Sequence, residues 1–114
     1  MTYKIRIVKP AQADMRETYR YIEAELQNPE AAARRISLID EAIQSLKNMP
    51  SRFPLVRDDY LASKGFQMAV VKTHLVFFAI QEETKVVSVM RVLYGCRDWI
   101  RILRIEAEHL LKHI

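Results

Sequence analysis

The stretch "RVLYGCRDW", residues 91–99, closes a valine-rich run and opens an amphipathic one, and the C-terminal half of the chain is read from it. A strand that ends in a turn needs only Gly95 and a helix-capping residue such as Asp98. Two arginines, a tyrosine, a cysteine and a tryptophan exceed that need. They mark either a site or a surface that a partner covers. Upstream, "VVSVMRVL" (86–93) and "THLVFFAI" (73–80) are β-branched and aromatic, and polar "QEETK" separates them. That pattern predicts a hairpin, with "FQMAVV" (66–71) as a further strand before it. Downstream, Asp98 caps a predicted helix over 98–113 whose apolar stripe is Trp99, Ile102, Leu103, Ala107 and Leu110.

The N-terminal half supplies the remaining elements. "TYKIRIV" (2–8) alternates, with Tyr3, Ile5 and Ile7 on one side and Lys4 and Arg6 on the other, as on a strand buried on one face. Pro10 permits a helix start, and Ala11, Met15, Thr18, Ile22 and Leu26 trace an amphipathic helix over 11–27. "NPE" (28–30) restarts the helix: Asn28 caps, Pro29 fits the first helical position and Glu30 suits the positive end of the dipole. Ala32, Ile36, Ile39, Ile43 and Leu46 form the second stripe, which ends before Pro50. Residues 50–65 carry two prolines and no clean period, and read as an ordered loop. The order β-α-α-β-β-β-α predicts an α+β domain: a helical hairpin on a four-stranded, mostly antiparallel sheet, with a C-terminal helix.

Bulk properties narrow the classes. A length of 114 residues fits one domain, 1–114, and a 50% hydrophobic content excludes a disordered chain. No apolar run approaches a membrane span, and "MTYKIRIVKP" is not built like a signal peptide. The single cysteine, Cys96, suits a reducing cytoplasm, so the expected location is cytoplasmic, without membrane contact. The net charge of +4 favours polyanions, whether nucleic acid or acidic protein.

The strands raise a second question. Leu75, Phe77 and Ala79 point one way and Val76, Phe78 and Ile80 the other. Simple alternation places Val87, Val89, Arg91 and Leu93 on one face of the last strand and Val86, Met90 and Val92 on the opposite one. Both faces are apolar, so both need cover. The C-terminal helix accounts for about half of the second face, leaving Val76, Phe78 and Met90 as the expected partner-facing surface. Arg91, inside an apolar strand, needs a carboxylate, a phosphate or solvent. With Lys4, Arg6 and Arg97 it forms a candidate basic face if the first and last strands are neighbours.

These segments resemble the RelE/ParE superfamily of toxins from type II toxin–antitoxin pairs, which include plasmid stabilisation proteins. "RVLYGCRDW" is similar to the family's closing motif, "ADMRETYRYI" (13–22) to its first helix, "NPEAAARRI" (28–36) to its second, and "SLKNMP" (45–50) to that helix's end. "HLVFFAI" resembles the strand that reads "VFY" in relatives. The resemblance implies a growth-inhibiting toxin silenced by a cognate acidic antitoxin in a hetero-oligomeric complex, with no cofactor or metal. ParE-like members inhibit DNA gyrase; RelE-like members are ribosome-dependent mRNA endonucleases (mRNA interferases).

For RNA cleavage the candidate catalytic residues are Arg91 and Arg97 to stabilise phosphorane charge, and Tyr94 as acid or base. Lys4, Arg6, Lys64 and Lys72 are candidate phosphate or partner contacts. Two departures stand against cleavage: Gln67 replaces an arginine common in nuclease relatives, and Phe78 replaces the "VFY" tyrosine. They tilt the expectation to gyrase. The alternatives are the mRNA endonuclease and a non-toxic, antitoxin-binding relative. His109 and His113 have helical metal-pair spacing but lack a third ligand, and favourable helix-end charge explains them better. His74 reads as structural or surface, and Cys96 as incidental to the turn.

Overall fold

The computed structural model describes residues 2–95 and 97–112. The expectations attached to Cys96 and His113 lie outside them. The order is β1 (Lys4–Ile7), α1 (Lys9–Leu26), α2 (Pro29–Ser45), α3 (Asp59–Ser63), β2 (Gln67–Val71), β3 (His74–Gln81), β4 (Val86–Tyr94) and α4 (Trp99–Leu111). The sheet order is β1-β4-β3-β2; β1 runs parallel to β4, and the other pairs are antiparallel. This is the α+β architecture expected, with one addition. The segment 50–65 holds a 3₁₀ turn at Pro50–Arg52 and the short helix α3, whose first turn Asp58 caps by accepting from the Leu61 N–H at 3.0 Å.

The helix boundaries follow from the local chemistry. Asn28 accepts from the backbone N–H groups of Glu30 and Ala31, two of the donors a helix start leaves unpaired, with Pro29 directly behind it. Asp98 accepts from Arg101 N–H at the start of α4. At the other end of α2, the Arg52 guanidinium bonds the carbonyls of Ser45, Asn48 and Met49, placing a cation at the negative end of the helix dipole and tying the following turn to the last helical residue.

Phe77 and Phe78 divide the core. Phe77 faces α4 and packs on Trp99, ring centres 5.2 Å apart; Phe78 faces the opposite way and meets Phe53 edge-on at 6.0 Å. The α1–α2 hairpin lies against β4, β3 and β2, while α4 contributes Leu103, Ala107 and Leu110 to the same core, all with no exposed area. Each such leucine contributes about 2 kcal/mol of burial. Val76, Phe78 and Met90 are also fully buried. The expected partner-facing surface is therefore corrected: helices of the chain itself cover both faces of the sheet.

A β-bulge corrects the face assignment of β4. Phe78 pairs with Val89 but Phe77 pairs with Arg91, leaving Met90 as the extra residue. Strict alternation would keep Val89 and Arg91 on one face. The inserted residue instead sends Arg91 and Leu93 to the side of Phe77 and α4. Gly95 then ends the strand, its N–H bonded to the Thr73 carbonyl at 2.7 Å. A Cβ there would meet that oxygen at 3.1 Å, which accounts for glycine in the turn.

Candidate functional site

Arg91 is the best-connected of the expected site residues. Its Nε and Nη2 donate to the two carboxylate oxygens of Asp14 at 2.6 and 2.8 Å, and its Nη1 bonds Glu106 of α4. Asp14 also accepts from Val92 N–H at 2.9 Å. The geometry has a simple origin. β1 ends opposite Val89, so the far half of β4 has no strand beside it, and the Asp14 carboxylate takes an N–H that a longer β1 would have used. Its negative charge then holds the guanidinium delivered by the bulge. The carboxylates raise the proton affinity of Arg91 further, chiefly through the Asp14 hydrogen bond and against the cost of burial.

The expected basic face does not assemble. β1 and β4 are neighbours, as the convergence required, but Lys4 and Arg6 sit opposite Val86 and Ser88, and Arg91 lies past the end of β1 in its own ion pairs. Lys64 follows α3, with its ammonium 5.6 Å above the Tyr60 ring. Lys72 lies in the β2–β3 turn, at the sheet edge opposite β1, with φ 57°. These cations are spread around the fold.

Tyr94 and Arg97 do come together. With Asp14, Glu17, Thr18, Tyr21, His74 and Val92 they line a pocket of about 290 Å³ beside the end of β4. Tyr21, His74 and Tyr94 also line an adjoining pocket of about 340 Å³ with Arg35 and the C-terminal part of α1, so the two form one groove. His74, read from sequence as structural or surface, is its floor. It is 5% exposed, its ring meets Tyr94 edge-on at 5.4 Å, and its Nδ1 lies 3.5 Å from the Thr73 hydroxyl, which accepts from Arg35. Burial first, and the Arg35 charge second, lower the proton affinity of the imidazole. A lone histidine at a strand start carries no sequence signal for this role; only the meeting of β3, β4 and α1 creates it.

The two residues that depart from the nuclease pattern are built into the interior. Gln67, 8% exposed, donates its amide to the carbonyls of Phe53 at 2.9 Å and Pro50 at 3.4 Å, tying the loop after α2 to β2. Phe78 is core. Among the described residues, no group of three or more His, Cys, Asp and Glu side chains could hold a metal ion, and no helix is long and apolar enough to cross a membrane.

Sheet order and helical hairpin define a RelE/ParE-type fold. A chain of the chromosomal ParDE toxin–antitoxin system of Pseudomonas aeruginosa superposes with a TM-score of 0.67 at 16% identity, over 82% of this chain and 96% of that one. A chain of the toxin–antitoxin complex RelBE2 of Mycobacterium tuberculosis gives 0.59 at 20% identity, over 82% and 99%. These likenesses establish the shared fold. No curated protein sequence matches the chain. Residues 5–99 match the family model of the ParE toxin of the type II toxin–antitoxin system parDE, and the chain belongs to that family of toxins.

Proposed function

We propose that this toxin inhibits DNA gyrase by binding it, without cutting RNA, and that a cognate acidic antitoxin neutralises it in the cytoplasm. The observation that carries the reading is the employment of three side chains. Arg91 is held by Asp14 and Glu106, Gln67 holds the loop after α2, and Phe78 is sealed in the core. A nuclease needs cations and proton donors turned to solvent at its reacting phosphate. Here those positions serve the fold.

One observation favours the second reading, a ribosome-dependent mRNA endonuclease: Tyr94, Arg97 and His74 share a pocket, and an imidazole is a competent proton carrier. The deciding experiment adds the purified chain to gyrase-catalysed supercoiling of relaxed plasmid, and separately to translating ribosomes whose mRNA is mapped by primer extension. Loss of supercoiling that the antitoxin restores, with intact mRNA, is expected. Codon-phased mRNA breaks with normal supercoiling would replace this reading by the second. Neither effect would leave a non-toxic, antitoxin-binding relative.

A further inference from the structure

The outer face of α4 carries a charge pattern that the fold does not use. Leu103, Ala107 and Leu110 turn inward and are fully buried, while Asp98, Arg101, Ile105, Glu108 and Lys112 are all exposed. Steps of three, four, three and four residues place these five in one row along the helix, about 21 Å from end to end. Ile105 is its centre and, at 73% exposed, the most open large hydrophobic side chain among the described residues. Off the row, Arg104 pairs with Asp58 and Glu106 with Arg91. On it, Arg101, Glu108 and Lys112 have no salt-bridge partner among the described residues. The match to the family model ends at Trp99, so Arg101 and the rest of the row lie beyond it.

From its N-terminal end the row runs acid, base, apolar, acid, base. Turned end for end about Ile105, it meets itself with every charge opposed. Asp98 then stands opposite Lys112, Arg101 opposite Glu108, and Ile105 on its own copy. A parallel copy would set each charge against its like. Two acids and two bases leave the row without net charge, so a polyanion gains little there. Self-complementarity of this kind is what a two-fold contact between identical chains requires. Helices crossing at about 20° keep residues spaced by three and four in register along such a seam.

We propose that α4 pairs with α4 of a second copy of this chain, antiparallel, about a two-fold axis at Ile105. The isoleucine contact supplies the attraction, and the four charge pairs around it fix direction and register. A pair of helices this short buries less than the about 1,200 Å² of a stable interface, so the dimer is weak and forms with rising concentration. It leaves the α1–α2 hairpin, on the other face of the sheet, uncovered.

The test is sedimentation equilibrium of the purified full chain from about 10 μM to about 1 mM. The mean mass is expected to climb from that of the monomer toward twice that value. Ile105→Asp and Arg101→Glu alter exposed positions, and each should move the onset of association at least about tenfold higher in concentration. Arg101→Glu combined with Glu108→Arg opposes the charges again and suits the helix dipole, so the climb should return. Val70→Lys, exposed on the edge strand β2, is the control and should associate like the unaltered chain. A monomer mass throughout would overturn the proposal, and so would association that Ile105→Asp leaves unchanged. Loss of association in Val70→Lys would overturn it too, by placing the contact at the sheet edge. So would a double charge exchange that is folded by circular dichroism yet no more associated than Arg101→Glu alone. A monomeric chain whose Ile105→Asp variant loses its antitoxin would assign the face to the antitoxin instead.

Discussion

The carboxylate of Asp14 both pairs with the Arg91 guanidinium, at 2.6 Å, and accepts the Val92 N–H, at 2.9 Å, joining α1 to a strand 77 residues further along the chain. Their side chains are 7% and 11% exposed, so neither charge is well solvated. Removing Asp14 leaves the buried guanidinium with Glu106 as its one remaining carboxylate and orphans a backbone donor. Asp14→Ala is expected to destabilise the fold by about 3 kcal/mol or more. Glu106, 38% exposed, contributes at its wetter end, and Glu106→Ala should cost about 1 kcal/mol. Denaturant unfolding of both variants checks this order, and equal losses would contradict it.

Phe78→Tyr restores the tyrosine of the nuclease-like "VFY" pattern. In this fold the added hydroxyl enters a closed core, and the expected loss is about 1–3 kcal/mol. RNA cleavage should not appear. A variant as stable as the parent, or one that cuts ribosome-bound mRNA, would show that this position opens to solvent.

Acid should weaken the fold through His74. Its folded-state proton affinity is lowered by burial and by Arg35, so the unfolded chain binds the extra proton more readily. The stabilising contribution is complete above the ordinary histidine pKa, about 6.5, and is lost as pH falls from there toward the lower folded value. His74→Gln should therefore flatten the pH dependence of Tm between pH 7 and pH 5. An unchanged slope would mean that the imidazole already takes up its proton in the folded chain.

Tyr94→Phe separates binding from proton transfer. If toxicity comes from contact, the phenolic proton is dispensable, and growth inhibition at matched soluble levels should stay within about twofold. A loss of a hundredfold or more would assign Tyr94 a chemical role.

Most of the fold was legible because local rules and tertiary structure agree. Asn28 and Pro29 start α2, Asp98 starts α4, and the valine-rich runs pair as a hairpin. The failures are equally physical. One extra residue at Met90 inverts every later face of β4, and a run apolar on both sides carries no trace of it. Asp58 signals a cap, but the five residues of α3 are too few to show a period. The burial of Val76, Phe78 and Met90 depends on how far α1, α2 and α4 reach across the sheet. The site was half legible: Tyr94 and Arg97 do meet in the groove, whereas His74 joins them only through the strand register, and Arg91 finds its carboxylates in distant helices.

The central claim is that this toxin disables gyrase and leaves RNA intact. Its most direct test is to induce the chain alone in a bacterial host and follow labelled thymidine and labelled methionine incorporation over the first minutes. The account predicts that thymidine incorporation falls first while methionine incorporation continues, and that co-induced antitoxin abolishes the effect. Prompt collapse of methionine incorporation, with thymidine incorporation initially spared, would contradict it.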